Sequence, residues 1–124
     1  MLLIDSSGWI EFFTSGPLAD KYSPYIKKVS EIATPTVVLY EVYKKIKRER
    51  SEEAALTAVS LMNRTSVIVL TESIALFAAD LSIQYSLPMA DAIVYATALE
   101  LNCSVVTSDA HFRELEKVTF ISQA

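Results

Sequence analysis

Four carboxylates stand out among the 15 acidic residues by their place in the apolar pattern of the chain. Asp5 directly follows the apolar run "LLI", and Asp109 comes two residues after the run "SVVT". Asp91 lies near the start of the helical stretch "LPMADAIVYATALE", on the face that carries the apolar side chains three, four and seven residues later. Glu41 lies in the first half of the helical stretch "TVVLYEVYKKIKR". The pattern raises the question of what stabilises negative charge at such positions.

A divalent cation is the chemistry that these residue types indicate. Buried charges are tolerated when they are paired or when they coordinate a metal ion. No lysine or arginine closely flanks Asp5, Asp91 or Asp109, and Arg113 is the nearest, one turn beyond Asp109. Uncompensated carboxylates would repel one another, and some would stay protonated. Oxygen ligands with room for water suit Mg²⁺ or Mn²⁺. A single histidine and a single cysteine match no zinc-binding spacing.

Each of the four carboxylates also has an ordinary structural explanation. Asp109 is a suitable N-cap for the short segment "AHFREL", and Asp5 can stabilise the turn after the first apolar run. Asp91 can interact with the dipole of its own helix. Glu41 can pair with Lys45, one turn further along the helix, and it points away from the apolar face of that helix. The structural explanation is strong for Glu41 and weak for Asp91.

Short apolar strands alternate with helices along the chain. The pattern predicts strands at residues 2–4, 31–34, 67–70, 104–107 and 118–121. It predicts helices at residues 6–13 (capped by Ser6 or Ser7), 19–29, 36–50, 52–62, 72–85, after Pro88 in the stretch that carries Asp91, and at 110–116. This order is typical of an α/β fold with a central parallel sheet of about five strands and helices on both faces. Sites in such sheets form outside the carboxyl ends of the strands, where we expect an acidic cleft.

Length and composition predict one domain that spans residues 1–124. A hydrophobic content of 52% allows a substantial core. The net charge of −4 does not favour nucleic-acid binding unless basic residues are concentrated locally. The one cysteine excludes an internal disulfide and fits a reducing compartment. We see no signal peptide and no apolar run of the roughly 18 residues that a membrane span needs, so we expect a cytoplasmic protein without membrane contact.

Three segments together resemble the PIN domain family, and within it the VapC-like toxins of toxin–antitoxin pairs. They are "LLIDSSGWIEFF", "TPTVVLYEVYKK" and "LPMADAIVYATALELNCSVVTSDAHF". The resemblance implies a single PIN-like domain and a metal-dependent endoribonuclease that hydrolyses RNA with metal-activated water. It places four residues in the catalytic acidic quartet: Asp5, Glu41, Asp91 and Asp109. It implies that Asp5, Asp91 and Asp109 bind Mg²⁺ or Mn²⁺, while Ser7 and Thr107 support Asp5.

The same resemblance implies a homodimer and a cognate antitoxin as partners. Tyr40, Tyr43 and the high apolar fraction also suggest a hydrophobic surface shared between chains. Five of the 11 lysines and arginines lie between positions 44 and 50. Lys44, Lys45 and Arg48 follow Glu41 on one helix face, either as contacts to an RNA backbone or as an ordinary solvated face. We expect His111 to be a surface or supporting residue rather than a catalyst.

Three other functions stay open from the sequence. A receiver-like signalling domain would also have a Mg²⁺ site at strand ends, but it needs paired acids after the first strand and a lysine after the last. A PIN-like binding module without catalysis would lack one or more of the four acids. A structural pairing protein would show no metal-dependent RNA cleavage for Asp91→Asn to remove.

Overall fold

Five short parallel strands form one sheet, which confirms the predicted α/β class. The computed structural model describes residues 1–122. The strands are β1 (Leu2–Ile4), β2 (Ile32–Pro35), β3 (Ser66–Ile68), β4 (Ser104–Thr107) and β5 (Val118–Phe120). Their order across the sheet is β3-β2-β1-β4-β5.

Six α-helices connect and cover the strands. They are α1 (Ser6–Phe13), α2 (Ala19–Ile26), α3 (Thr36–Glu49), α4 (Glu52–Met62), α5 (Glu72–Tyr85) and α6 (Met89–Glu100). Successive side chains of a strand point to opposite faces of the sheet. The neighbouring pairs Leu3–Ile4 and Val105–Val106 are fully buried, so helices cover both faces at the centre of the sheet.

Several predicted boundaries are wrong by a few residues. Helix α1 is capped by Asp5 instead of Ser6 or Ser7, because the Asp5 side chain accepts a hydrogen bond from the Gly8 N–H. Helix α2 ends at Ile26 and is followed by a short 3₁₀ turn at Val29–Glu31. The predicted last helix is reduced to a 3₁₀ turn at Ala110–Phe112.

Strand β3 also differs from its prediction, since it covers residues 66–68 instead of 67–70. It is an edge strand that pairs only with β2, and the pairing runs from Ala33–Ser66 to Pro35–Ile68. Val69 and Leu70 lie beyond the end of β2 and are exposed. Their side chains favour a strand, but β2 is too short to pair with them. After the end of α6, Asn102 adopts the left-handed conformation that is common at helix C-termini.

The strand order places a crevice between β1 and β4. From β1 the chain continues to β2 and then β3 on one side of β1. It then crosses to the other side of β1, where β4 and β5 lie. In open parallel sheets, ligands bind where the direction of strand order reverses, outside the carboxyl ends of the strands. Receiver domains have the different order 2-1-3-4-5. The sheet order therefore contradicts the receiver-like alternative. Within residues 1–122, no helix combines the length and apolar character needed to cross a bilayer.

Candidate active site

Asp5 lies at the carboxyl end of β1, at the bottom of the crevice. Its carboxylate is buried and accepts three hydrogen bonds, from Ser7 Oγ (2.7 Å) and the Gly8 N–H (3.3 Å) on Oδ1 and from Thr107 Oγ1 (2.6 Å) on Oδ2. Burial raises the pKa of Asp5 from the ordinary 3.8 to about 6, although these hydrogen bonds act in the opposite direction. A carboxylate offers about four acceptor positions. One position on Oδ2 therefore remains for a ligand.

The end of β4 connects Asp5 to Asp109. Thr107 is fully buried, donates its hydroxyl hydrogen to Asp5, and accepts the Asp109 N–H at 2.9 Å. Asp109 then caps the following 3₁₀ turn, since its Oδ1 accepts the His111 N–H at 2.9 Å. The predicted capping role and a role in the acidic cluster are thus compatible in one residue.

Asp91 comes to the same place from the first turn of α6. Its Oδ2 lies 2.8 Å from His111 Nδ1, and the same nitrogen lies 3.0 Å from Asp109 Oδ1. One ligand atom from each of Asp91, Asp109 and His111 lies within 4.8 Å of the others. Burial raises the pKa of the Asp91 carboxyl well above its usual range, and the negative charge of Asp109 raises it further, while His111 acts in the opposite direction.

Glu41 borders this group from helix α3. Its side chain is partly buried, and burial raises its pKa, with a smaller contribution in the same direction from the charge of Asp109. A hydrogen bond from the Ser6 side chain lowers it. The structure therefore places Glu41 within electrostatic range of Asp109, away from the apolar core face of α3. Glu41 forms no ion pair with Lys45, which binds Glu49 instead at 2.6 Å.

The three predicted substrate-binding cations lie in a groove that begins at Glu41. The groove runs between α1 and α3, and its lining comprises Ser6, Ile10, Tyr40, Glu41, Lys44, Lys45 and Arg48. A second groove passes Ser7 and Ser108 and shares Ser6, Ile10 and Lys45 with the first. Lys44 lies 5.5 Å from the centre of the Tyr40 ring. The two grooves adjoin at their shared residues and connect Glu41 and Ser108 with the basic face of α3.

A chain of hydroxyl groups behind Asp5 was not predicted from the sequence. Tyr22 donates its phenolic hydrogen to Ser108 Oγ at 2.9 Å, and Ser108 Oγ lies 3.4 Å from Ser7 Oγ, which binds Asp5. Gly8 allows this approach, because a Cβ at position 8 would lie 2.4 Å from the Tyr22 ring. Tyr22 and Ser108 are 86 positions apart, so no local pattern could indicate their contact.

The contacts of His111 were also not indicated by the sequence. Its side chain is 55% exposed, yet Nδ1 contacts two of the four carboxylates. The sequence feature that could have indicated these contacts is the position of His111, two residues after Asp109, which could cap a turn. That spacing brings a side chain back over the capping carboxylate only if the segment forms a tight 3₁₀ turn, and the sequence predicted a longer helix.

The site fits a divalent cation in composition and charge. Asp5, Asp91 and Asp109 present carboxylate oxygens at one strand-end crevice, and burial makes two of them resist ionisation. Within residues 1–122, no lysine or arginine forms an ion pair with any of the four carboxylates. Carboxylate oxygens are ligands that Mg²⁺ and Mn²⁺ prefer. A bound divalent cation would favour the ionised carboxylates that burial disfavours.

Solved structures share this fold over nearly their whole length. A toxin–antitoxin complex from Klebsiella pneumoniae contains a chain that is 21% identical, with a TM-score of 0.82 and coverage of 100% of this chain and 98% of that chain. VapC20 from Mycobacterium tuberculosis, described as a sarcin–ricin loop cleaving toxin, is 15% identical, with a TM-score of 0.80 and coverage of 100% and 98%. VapBC2 from Rickettsia felis, bound to a DNA fragment from their promoter, is 13% identical, with a TM-score of 0.79 and coverage of 98% of each chain.

At these identities the likeness establishes a common fold. Comparison with curated proteins gives no match. The sequence model of the PIN domain matches residues 2–118, and this range includes strands β1 to β4, the six α-helices and all four carboxylates. The chain therefore belongs to the PIN domain family.

Proposed function

We propose that the protein is a Mg²⁺- or Mn²⁺-dependent endoribonuclease and the toxin of a type II toxin–antitoxin pair. The observation that supports the proposal is the proximity of Asp5, Asp91 and Asp109 at the strand ends, with Glu41 within electrostatic range of Asp109. Burial raises the pKa of Asp5, Glu41 and Asp91 there. Buried carboxylates with raised pKa values lower the stability of the fold. Their presence is typical of functional sites, here one for a cation and a phosphodiester. Membership of the PIN family supports the same reaction class.

In this proposal Asp5, Asp91 and Asp109 bind the cation. A bound Mg²⁺ or Mn²⁺ ion supplies a Lewis acid that makes water nucleophilic at neutral pH and offsets the charge of the attacked phosphate. Hydrolysis leaves 5′-phosphate and 3′-hydroxyl ends. Ser7 and Thr107 fix the Asp5 carboxylate by hydrogen bonds on its two oxygens, and the Thr107 hydroxyl also fixes the backbone at Asp109.

Glu41 completes the acidic ring at the entrance to the basic groove. Lys44, Lys45 and Arg48 line that groove together with Glu41, which supports a path for the RNA backbone from the reacting phosphate. Lys45 and Arg48 also lie near Glu49, at 2.6 and 3.9 Å. An approaching phosphate has to compete with this carboxylate, so we assign these cations to positioning of RNA instead of tight binding.

Partners are proposed on the same basis. The similar chains from Klebsiella and Rickettsia were solved in toxin–antitoxin complexes, which supports a cognate antitoxin here. A homodimer is supported by an apolar groove between α5 and α6, whose lining includes Leu70, Ala79, Met89 and Ile93. Leu70 and Met89 are 48% and 76% exposed. We place the protein in the cytoplasm, where RNA substrates are abundant.

The proposal is tested by cleavage of RNA with Mg²⁺, with Mn²⁺ and with EDTA. We expect cleavage with either ion, none with EDTA, and a loss of about a hundredfold or more for Asp91→Asn, because that substitution removes a cation ligand. Asp80→Asn is the matched control, because the same chemical change is made at an exposed position of α5. Equal cleavage by the two variants would contradict the assignment of Asp91.

The same assay, together with a measurement of RNA binding, separates the remaining alternatives. A binding module without catalysis would bind RNA and cleave none under any ionic condition. A structural pairing protein would neither bind nor cleave RNA. Sequencing of the products identifies the target, and the neighbouring gene shows whether an antitoxin is encoded beside it.

A further inference from the structure

The imidazole of His111 lies between two proposed cation ligands. Its Nδ1 is 2.8 Å from Asp91 Oδ2 and 3.0 Å from Asp109 Oδ1. The three atoms come from helix α6, from the residue that follows β4 by two positions, and from the next 3₁₀ turn. Helix α6 and the segment after β4 therefore bring two carboxylate oxygens and one imidazole nitrogen close together.

The backbone holds His111 in this place. Its own N–H donates to Asp109 Oδ1 at 2.9 Å, and the Phe112 N–H donates to the Asp109 carbonyl oxygen at 3.1 Å. Phe112 is fully buried and packs edge-on against Tyr95 of α6, with ring centres 6.2 Å apart. Because the next residue is anchored in the core, the 3₁₀ turn presents His111 to the carboxylates although its ring is half exposed.

The separations fit neighbouring ligands of one ion. Two ligands at right angles on an octahedral ion, each about 2.1 Å from the metal, lie about 3.0 Å apart. Hydrogen bonds from a protonated Nδ1 to the carboxylates have similar lengths, so distance alone does not separate the two roles. The two roles differ in chemistry, because a nitrogen ligand favours first-row transition ions, whereas Mg²⁺ prefers oxygen.

We propose that Nδ1 of His111 is a ligand of the divalent cation and makes the site prefer Mn²⁺ and related transition ions over Mg²⁺. This inference rests on the proposed function, since it needs the cation at Asp91 and Asp109. It adds a fourth ligand, a nitrogen, to the three carboxylates and explains why the backbone fixes a half-exposed ring at this place.

Electron paramagnetic resonance of bound Mn²⁺ tests this role without RNA or turnover. Pulsed spectra of the wild type with one equivalent of Mn²⁺ should show the coupling of a directly bound ¹⁴N nucleus. The coupling should be absent from His111→Ala and retained in Glu114→Ala, an exposed control on the same segment. Competition between Mn²⁺ and Mg²⁺ should show that His111→Ala weakens Mn²⁺ binding by about tenfold or more and lowers its preference over Mg²⁺.

The wild-type spectrum is decisive even if a variant folds poorly. Bound Mn²⁺ without nitrogen coupling overturns the role of His111 and leaves the proposed nuclease intact, provided that RNA cleavage still requires the ion. Absence of Mn²⁺ binding overturns the role of His111 and the metal-dependent nuclease together. Equal loss of Mn²⁺ and Mg²⁺ affinity in His111→Ala overturns the proposed ion preference.

Discussion

Replacing Asp5 by asparagine should make the stability of the metal-free protein less dependent on pH. The amide has nearly the shape of the carboxylate and can still accept hydrogen bonds from Ser7 and Gly8. Unlike the carboxylate, it carries no charge that burial opposes. The variant therefore removes the penalty for burying the charge of Asp5, whereas its amide nitrogen, which cannot accept the Thr107 hydrogen bond, adds a cost that does not depend on pH.

The magnitude follows from the pKa of Asp5, which burial raises from 3.8 to about 6. The folded protein binds the proton more tightly than the unfolded chain, so the free energy of unfolding falls as the pH rises from about 4 to about 6. One pKa unit corresponds to 1.36 kcal/mol, which gives a loss of about 3 kcal/mol by pH 7. Asparagine does not titrate. The free energy of unfolding of Asp5→Asn, relative to that of the wild type, should therefore rise by about this amount between pH 4 and pH 7.

Urea unfolding in EDTA measures this difference. Trp9 is the only tryptophan and is fully buried, which makes its fluorescence a suitable probe. Asp80→Asn should follow the wild-type pH profile, because Asp80 is exposed. The reasoning is refuted if the stability difference between wild type and Asp5→Asn is independent of pH, or if it changes in favour of the wild type as the pH rises.

Three further substitutions test the environment of the site and the groove. Thr107→Val removes a buried hydrogen bond to Asp5 and should lower the free energy of unfolding by about 2 kcal/mol in urea titrations, whereas Thr107→Ser should lose less; equal losses would contradict the role of the hydroxyl. Gly8→Ala places a Cβ 2.4 Å from the Tyr22 ring and should destabilise the protein by about 1–3 kcal/mol in thermal unfolding, and an unchanged Tm would refute that contact. Arg48→Gln should weaken RNA binding and reduce the slope of log K against log salt by about 0.7, and an unchanged slope would exclude Arg48 from phosphate contact.

The strands and helices were largely predictable because each follows a simple local rule. The β-branched run before Thr107 and the apolar run before Asp5 are typical of buried parallel strands, and both form them. Thr71 caps α5 as its sequence position predicts. Boundaries failed where two residues compete for one role, as when Asp5 instead of a neighbouring serine caps α1.

The acidic cluster was predictable only in part. Asp5 and Asp109 follow strands, so their convergence at one sheet edge follows from a parallel sheet. The role of Asp91 was indicated by a charge in an apolar helix. The contacts of Tyr22 with Ser108, and of His111 with Asp91, depend on how distant segments pack and on the shape of one turn. A single sequence contains no local signal for either contact.

The central claim is that a divalent cation keeps these carboxylates ionised together, and calorimetry tests it most directly. Mn²⁺ is titrated into the wild-type protein and Asp91→Asn at pH 6 and pH 8, each in two buffers with different ionisation enthalpies. Because burial raises the pKa of Asp5 and Asp91, binding at pH 6 should release protons and give buffer-dependent heats, which should diminish at pH 8. Asp91→Asn should bind more weakly and release fewer protons. Saturable binding without proton release at pH 6, or no binding by the wild type, would contradict the account.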